Sequence, residues 1–296
     1  MVSTIIHTID LHFQGINGTI AAYLIPHKNG AVLIESGPAS TFPVLLSSIS
    51  RLGYKMHQIS DVFLTHIHLD HAGAAGWLAD LGTRIHVHAA GAPHLVDPSR
   101  LLSSAQRLYG DQLHQLWGEI KPVPEGQVHI LTDGEDVRIN DLAFRILETP
   151  GHANHHLAFI FEGICFSGDV GGVRLNGFDH IRLPLVPPDF HIEKWRQTLR
   201  RLKEEKLKYI APTHFGMFDN PEKHLDTALS YLDGVEVWMS DAFSGQPSPE
   251  EIKDRFNRWQ VQQSGLSGKE LQNYEIASPT FLSIEGMQRY WRKYRM

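Results

Sequence analysis

The segment Thr65-His66-Ile67-His68-Leu69-Asp70-His71 concentrates three imidazoles and a carboxylate within six residues. Side-chain direction repeats every second residue in extended or looped backbone, so His66 and His68 point the same way and are able to share one ion. Asp70 and His71 come as the chain turns into a helix, where their side chains are redirected toward a neighbouring ion. One loop is thus able to serve two metals. Three further elements each offer one ligand beside a small or turn-forming residue: Thr149-Pro150-Gly151-His152, Ser167-Gly168-Asp169 and Pro212-Thr213-His214-Phe215-Gly216. Imidazole and carboxylate suit zinc, and also iron and manganese.

These segments all fall at the ends of expected strands, where loops held by a rigid sheet collect functional side chains. Thr4 to Phe13, Thr19 to Ile25 and Ala31 to Ile34 read as a β-meander separated by Gly15, Gly18 and Gly30. Leu45, Leu46, Ile49 and Leu52 have helical spacing, with Gly53 at the C-cap position. Val62 to Thr65 reads as a strand entering the histidine cluster, followed by a helix over Ala72 to Leu81. Arg84 to His88 is a further strand and Pro98 to Trp117 a helical insertion with irregular apolar spacing. Strands resume over Val128 to Leu131, Leu142 to Glu148, Leu157 to Phe161 and Ile164 to Phe166. Asp189 is expected to cap a helix carrying Ile192, Trp195, Leu199 and Leu202 on one face, and Lys208 to Ala211 is the last strand. The irregular alternation of strands and helices favours a mixed-sheet sandwich over a doubly wound parallel sheet.

After about residue 220 the pattern is helical. Ser248-Pro249-Glu250-Glu251 offers an N-cap, a Pro at N1 and a Glu at N3. Met287, Tyr290, Trp291 and Tyr294 predict a docked helix, with a homodimer contact or a substrate lid as the alternative. The expected organisation is a metal-hydrolase domain over 1–220 and a helical extension over 221–296 packed on the same body.

The chain has 296 residues, 42% hydrophobic and 20% charged, which excludes wholesale disorder and a coiled-coil rod. A net charge of −6 lacks the basic excess of a nucleic-acid binder. The single cysteine, Cys165, rules out an intramolecular disulfide; with no secretory pattern near the start, a cytoplasmic location is expected. No apolar run is long enough to span a membrane. The expected partner is a small-molecule substrate, with neither nucleic acid nor membrane.

Residues from about 5 to 218 resemble the metallo-β-lactamase superfamily, through Thr65 to His71, Thr149 to His152, Ser167 to Asp169 and Thr213-His214, in the family's order. The resemblance implies an α+β fold, an αββα sandwich of two mixed sheets flanked by helices. It also implies that His66, His68 and His152 hold one metal, that Asp70, His71 and His214 hold a second, and that Asp169 bridges them. Glu35 stands where the family usually has an aspartate; it is expected either to orient a ligand or to cap backbone amides. His156 matches a second family histidine, and His155 replaces a glycine; both are expected beside the ligands rather than among them. His86, His88 and His94 read as structural, and Cys165 as a small buried hydrophobe.

Two divalent ions and two aspartates leave a net positive inner site that favours a bridging hydroxide. The expected activity is hydrolysis of a small ester, thioester or lactone, with Asp70 orienting the hydroxide and carrying a proton to the leaving group. The resemblance is closer to glyoxalase II-like and lactonase-like hydrolases than to drug-hydrolysing lactamases, although Gly172 replaces a lactonase tyrosine and the segment around His214 lacks the glutathione-hydrolase pattern. Arg174 and Arg182 are weighed as contacts to an acidic substrate against salt bridges. The rival enzyme class is a persulfide dioxygenase with mononuclear iron on His66, His152 and Asp169; a phosphodiesterase is the other alternative.

Overall fold

The computed structural model describes residues 4–245 and 247–296. Along the early strands neighbouring residues are buried on both faces, as a sheet sandwiched between two layers requires. β1 (His7–Asp10), β2 (Ala21–His27) and β3 (Gly30–Ile34) pair antiparallel. α1 (Phe42–Arg51) follows, and β4 (Ile59–Phe63) returns parallel to β3. The helical stretch after β4 is broken into α2 (Leu69–Ala72) and α3 (Ala75–Asp80), where the sequence pattern predicts one helix over 72–81. β5 (Arg84–His88) extends the sheet, the insertion forms α4 (Ala92–Val96), α5 (Ser99–Tyr109) and α6 (Leu113–Trp117), and β6 (Val128–Leu131) completes six strands in the order β1-β2-β3-β4-β5-β6.

The second sheet has the order β11-β10-β9-β8-β7. β7 (Asp136–Ile139), β8 (Leu142–Glu148), β9 (Leu157–Phe161) and β10 (Ile164–Phe166) pair antiparallel, and β11 (Tyr209–Ala211) lies parallel to β10 after the crossover helix α7 (Ile192–Glu204). Tyr23, Val32, Ile34 and Phe63 of the first sheet meet Phe144, Ile146 and Phe159 of the second in one buried cluster. Leu24, Leu33 and Val62, one residue out of phase, pack against Leu45, Ile49 and Leu78 of the outer helices. Leu147 and Ala158 face α7 through Trp195 and Leu199. The layers are therefore helix, sheet, sheet, helix, an α+β sandwich as expected.

The remaining chain forms α8 (Pro221–Phe243), α9 (Pro249–Ser264), α10 (Gly268–Ala277) and α11 (Thr280–Tyr294). Leu225, Leu232 and Met239 of α8 share a buried cluster with α7 and the second sheet. Ser248 closes the expected capping box, accepting from the Glu251 N–H at 3.2 Å while its own N–H donates to the Glu251 carboxylate at 2.9 Å. α11 is docked: Met287 and Tyr290 are buried, and the Tyr290 hydroxyl donates to Glu193 of α7 at 2.7 Å. Asp189 does not cap α7. His191 occupies the N-cap, and the Asp189 carboxylate instead accepts from the Asn154 N–H at 3.2 Å. β1 is shorter than expected: residues 4–6 lie outside it, and the chain leaves the extended conformation at His12 (φ 49) ahead of the turn at Phe13–Gly15. Among the described residues no helix is long and apolar enough to cross a membrane.

Candidate metal centre

Every candidate ligand sits just beyond a strand end, on the rim where the two sheets meet. β4 delivers Thr65 to His68 in an open conformation, and α2 starts at Leu69, which places Asp70 and His71 on its only turn. β8 leads to His152, β10 to Asp169 and β11 to His214. Two glycines make this convergence sterically feasible. A Cβ at Gly151 (φ 144) would lie 2.4 Å from the Trp195 backbone; one at Gly168 (φ 50) would lie 2.6 Å from the Thr65 hydroxyl and 2.7 Å from His156 Nε2.

The side chains form two groups. His66, His68, His152 and Asp169 make one; Asp70, His71, Asp169 and His214 make the other. In the first, His66 Nε2 and His152 Nε2 each lie 2.9 Å from His68 Nδ1, and His152 Nε2 is 3.3 Å from Asp169 Oδ2. In the second, Asp169 Oδ1 is 3.1 Å from His71 Nε2 and 3.4 Å from His214 Nε2, and Asp70 Oδ2 is 3.3 Å from His214 Nε2. One carboxylate thus turns an oxygen toward each group.

Hydrogen bonds on the far side of the rings determine which nitrogen faces inward. His152 Nδ1 donates to the Pro184 carbonyl and His214 Nδ1 to the Thr19 carbonyl, each at 2.8 Å, which leaves the Nε2 lone pairs directed at the centre. His71 Nδ1 donates to Glu35 at 2.9 Å. His66 Nδ1 lies 3.1 Å from the Thr65 hydroxyl, which itself donates to Glu35. Glu35 is fully buried and also accepts from the Thr213 hydroxyl at 3.0 Å and the Thr65 N–H at 3.3 Å. Both expected roles are therefore combined in one carboxylate, which orients a candidate ligand and caps a backbone amide. Its φ of 67° is unusual for a residue with a side chain, a strained conformation held by the Glu35 N–H bond to the Phe63 carbonyl at 2.9 Å.

The donor set fits cations. His71 Nε2, His214 Nε2 and Asp169 Oδ1 are buried and have no hydrogen-bond partner, a costly arrangement unless another group completes them. Burial, reinforced by neighbouring imidazoles, holds His66 and His68 well below the usual histidine range, so both are neutral with lone pairs to offer. Burial opposes charge on Asp70 and His71 too, but there the close opposite charges prevail. Asp70 is held at about 2 by His71 and His214, and His71 is raised by Asp169, Asp70 and Glu35. A cation would take over the charge balance that these protons otherwise supply.

The other histidines are engaged elsewhere. His156 Nδ1 is 2.8 Å from the Thr149 hydroxyl, and its Nε2 accepts from the Asp169 N–H at 3.2 Å, which fixes the backbone that carries the Asp169 carboxylate. His86 is paired with Asp61 at 2.7 Å and His88 with Glu148 at 3.3 Å, whereas His94 and His155 line the cavity above the centre. Arg174 and Arg182 are buried in ion pairs with Asp179 and Glu275, at 2.9 and 2.6 Å, and do not line that cavity. Cys165 is buried, and burial, with Glu205 adding to it, pushes its thiol up to about 12. Tyr109 escapes the sequence reading as a functional residue. Its ring lines the cavity together with Asp70, and burial and then the Asp70 charge keep its phenol protonated.

A family model described as the metallo-beta-lactamase superfamily matches residues 15–214. The chain belongs to the metallo-beta-lactamase superfamily. A metallo-beta-lactamase fold-containing protein of Sulfurisphaera tokodaii is 26% identical over 214 residues, which are 70% of this chain and 78% of that protein. A hydroxyacylglutathione hydrolase of Aeromonas hydrophila is 30% identical over 147 residues, half of this chain and 44% of that enzyme. Among solved structures, a metallo-beta-lactamase family protein from Thermus thermophilus superposes with a TM-score of 0.73 at 18% identity, covering 97% of this chain and 93% of that one. A B3 metallo-beta-lactamase with an active-site glutamic acid gives a TM-score of 0.59 at 21% identity, over 79% of this chain and 88% of its own. These superfamily structures share the fold.

Proposed function

We propose that this protein is a metal-dependent hydrolase that binds two divalent cations, zinc foremost with iron or manganese as alternatives, and cleaves small esters, thioesters or lactones. The observation that carries this reading is the division of the Asp169 carboxylate, Oδ2 toward His66 and His152 and Oδ1 toward His71 and His214. His66, His68 and His152 would hold one cation, Asp70, His71 and His214 the other, and Asp169 both. Bound there, divalent cations supply Lewis acidity and make hydroxide available at neutral pH. A mononuclear iron centre on His66, His152 and Asp169 would leave Asp70, His71 and His214 converging to no purpose, which favours the dinuclear reading over the dioxygenase.

The chain's own groups have separable tasks. Asp70, held ionised by the neighbouring His71 and His214, accepts a hydrogen bond from the attacking water, orients it and carries a proton toward the leaving group. The Tyr109 phenol, with no hydrogen-bond partner among the described residues, donates to the substrate carbonyl as negative charge develops there. Glu35 holds His71 in place.

Elemental analysis of metal-replete protein, paired with an ester and thioester panel and an oxygen-uptake measurement, tests the reading. Two ions per chain with hydrolysis and no oxygen consumption are expected. One ion per chain with His71 and His214 dispensable for binding, turnover confined to phosphodiesters, or oxygen-dependent consumption of a persulfide would each overturn it.

A further inference from the structure

The cavity above the centre has a volume of about 340 Å3 and reaches Asp70, Asp169, His152 and His214 at its floor. Its walls come from two distant parts of the chain. On one side α5 presents Leu101, Ala105 and Leu108, a stripe at i, i+4 and i+7. On the other stand Ile276 and Leu282, at the junction of α10 and α11. Tyr109 and Phe281 meet edge to face across the rim at 6.4 Å.

A stripe of this kind normally packs into a core. Here only Ala105 of the helix is buried, Leu101 packs in part against the same core, and Leu108 stays partly exposed; all three line the cavity. Among the described residues Arg100 is the single lysine or arginine on the wall. Such a wall offers little to a charged tripeptide thioester and much to a hydrocarbon.

We propose that this cavity selects an uncharged, bulky apolar acyl group, an aromatic ring or a chain of medium length, with α5 and the α10–α11 junction as the specificity-determining walls. The proposal rests on the hydrolase reading above, and narrows its substrate class. Water adds across the acyl–oxygen or acyl–sulfur bond, releasing the apolar carboxylic acid and an alcohol or thiol. Each methylene transferred from water into the cavity raises kcat/KM about fourfold until the space is filled.

The test uses the metal-loaded full chain and a series of N-acetylcysteamine thioesters from acetyl to decanoyl, beside a hydroxyacylglutathione. Binding of 2-decanone, an apolar ketone that cannot be hydrolysed, is measured in parallel against 2-butanone. The expected result is kcat/KM rising about fourfold per methylene over the first additions, the glutathione thioester turned over far more slowly than octanoyl, and 2-decanone binding at least tenfold tighter than 2-butanone. Ala105→Trp, which fills the cavity, should lower the octanoyl-to-acetyl ratio at least tenfold; Leu108→Thr, at a partly exposed position that tolerates change, should lower it severalfold. Turnover with a flat or falling chain-length profile would overturn the proposal and leave the hydrolase reading intact. Tight 2-decanone binding with no hydrolysis of any thioester or of the matching p-nitrophenyl esters would overturn the hydrolase reading and, with it, the acyl assignment, leaving an apolar binding cavity; weak ketone binding with no turnover would remove the cavity's apolar selectivity as well.

Discussion

Replacing Glu35 with Gln separates the orienting role of this carboxylate from its capping role. Glu35 Oε1 takes the Thr65 and Thr213 hydroxyls and His71 Nδ1, while Oε2 takes the Thr65 N–H. A glutamine with its carbonyl at the Oε1 position keeps three of these bonds, but its NH2 then confronts the Thr65 N–H, a donor against a donor. One buried amide loses its acceptor, at about 1–3 kcal/mol. The His71 bond also changes from charge-assisted to neutral, and removing such a partner lowers metal affinity about 10- to 100-fold, or about 1.4–2.7 kcal/mol. The expected outcome of Glu35→Gln is therefore twofold. In chelator the melting temperature falls by a few degrees; in titration against a competing chromophoric chelator, the ion held by Asp70, His71 and His214 weakens by that factor while the ion on His66, His68 and His152 changes little. A lower melting temperature with both affinities within twofold of the parent would refute the orienting role and leave Glu35 as a cap alone.

Further tests address the floor of the cavity and the fold. Asp70→Ala should keep the fold and lower kcat about a hundredfold or more, read by steady-state kinetics on protein with confirmed metal content; near-native turnover with both ions bound would refute its role. Tyr109→Phe removes only the phenolic oxygen and should lower kcat/KM about tenfold to a hundredfold, with unaltered metal stoichiometry; an effect within twofold would dismiss the donor. His224 is buried between the Gly171 carbonyl, 2.7 Å from Nε2, and Arg174, and burial, with the Arg174 charge behind it, lowers it from 6.5 to about 4. Between those values the unfolded chain takes a proton that the folded chain refuses, so stability falls as pH falls, by up to about 3 kcal/mol over the window. In chelator, His224→Gln should flatten the pH dependence of unfolding between pH 6.5 and 4 by up to one proton, and equal slopes for parent and variant would refute it.

The convergence of His66, His68, Asp70, His71, His152, Asp169 and His214 was legible because it is written in short-range pattern: four candidates in one segment and the others at strand ends with glycine or proline nearby. The sandwich was legible for a similar reason, since residues such as Leu24 and Ile25 are apolar in succession and need a layer on each side. The carbonyls of Thr19 and Pro184, which orient His214 and His152, left no trace in the sequence, because any residue type offers a backbone oxygen. Tyr109 and the α5 stripe were obscured by their ambiguity. Leu101, Ala105 and Leu108 lie in an insertion whose apolar spacing reads as irregular, and the structure lines them along a cavity. The broken helix after His71 reflects a close approach that local propensity does not encode: a Cβ at Gly73 would lie 2.4 Å from the Leu69 carbonyl oxygen and 2.9 Å from the Ala39 nitrogen.

The two walls of the cavity lie far apart along the chain, and this imposes an order on biosynthesis. All seven candidate ligands exist once His214 has been made, whereas Ile276 and Leu282 follow roughly seventy residues later, several seconds at about 5–20 residues per second. For that interval the candidate ligands exist without the α10–α11 wall that stands over them in the full chain. The same interval leaves the apolar stripe of α5 unshielded and available to chaperones. A chain stalled short of Ile276 would carry every candidate ligand but only one of the two walls, with the α5 stripe turned to solvent.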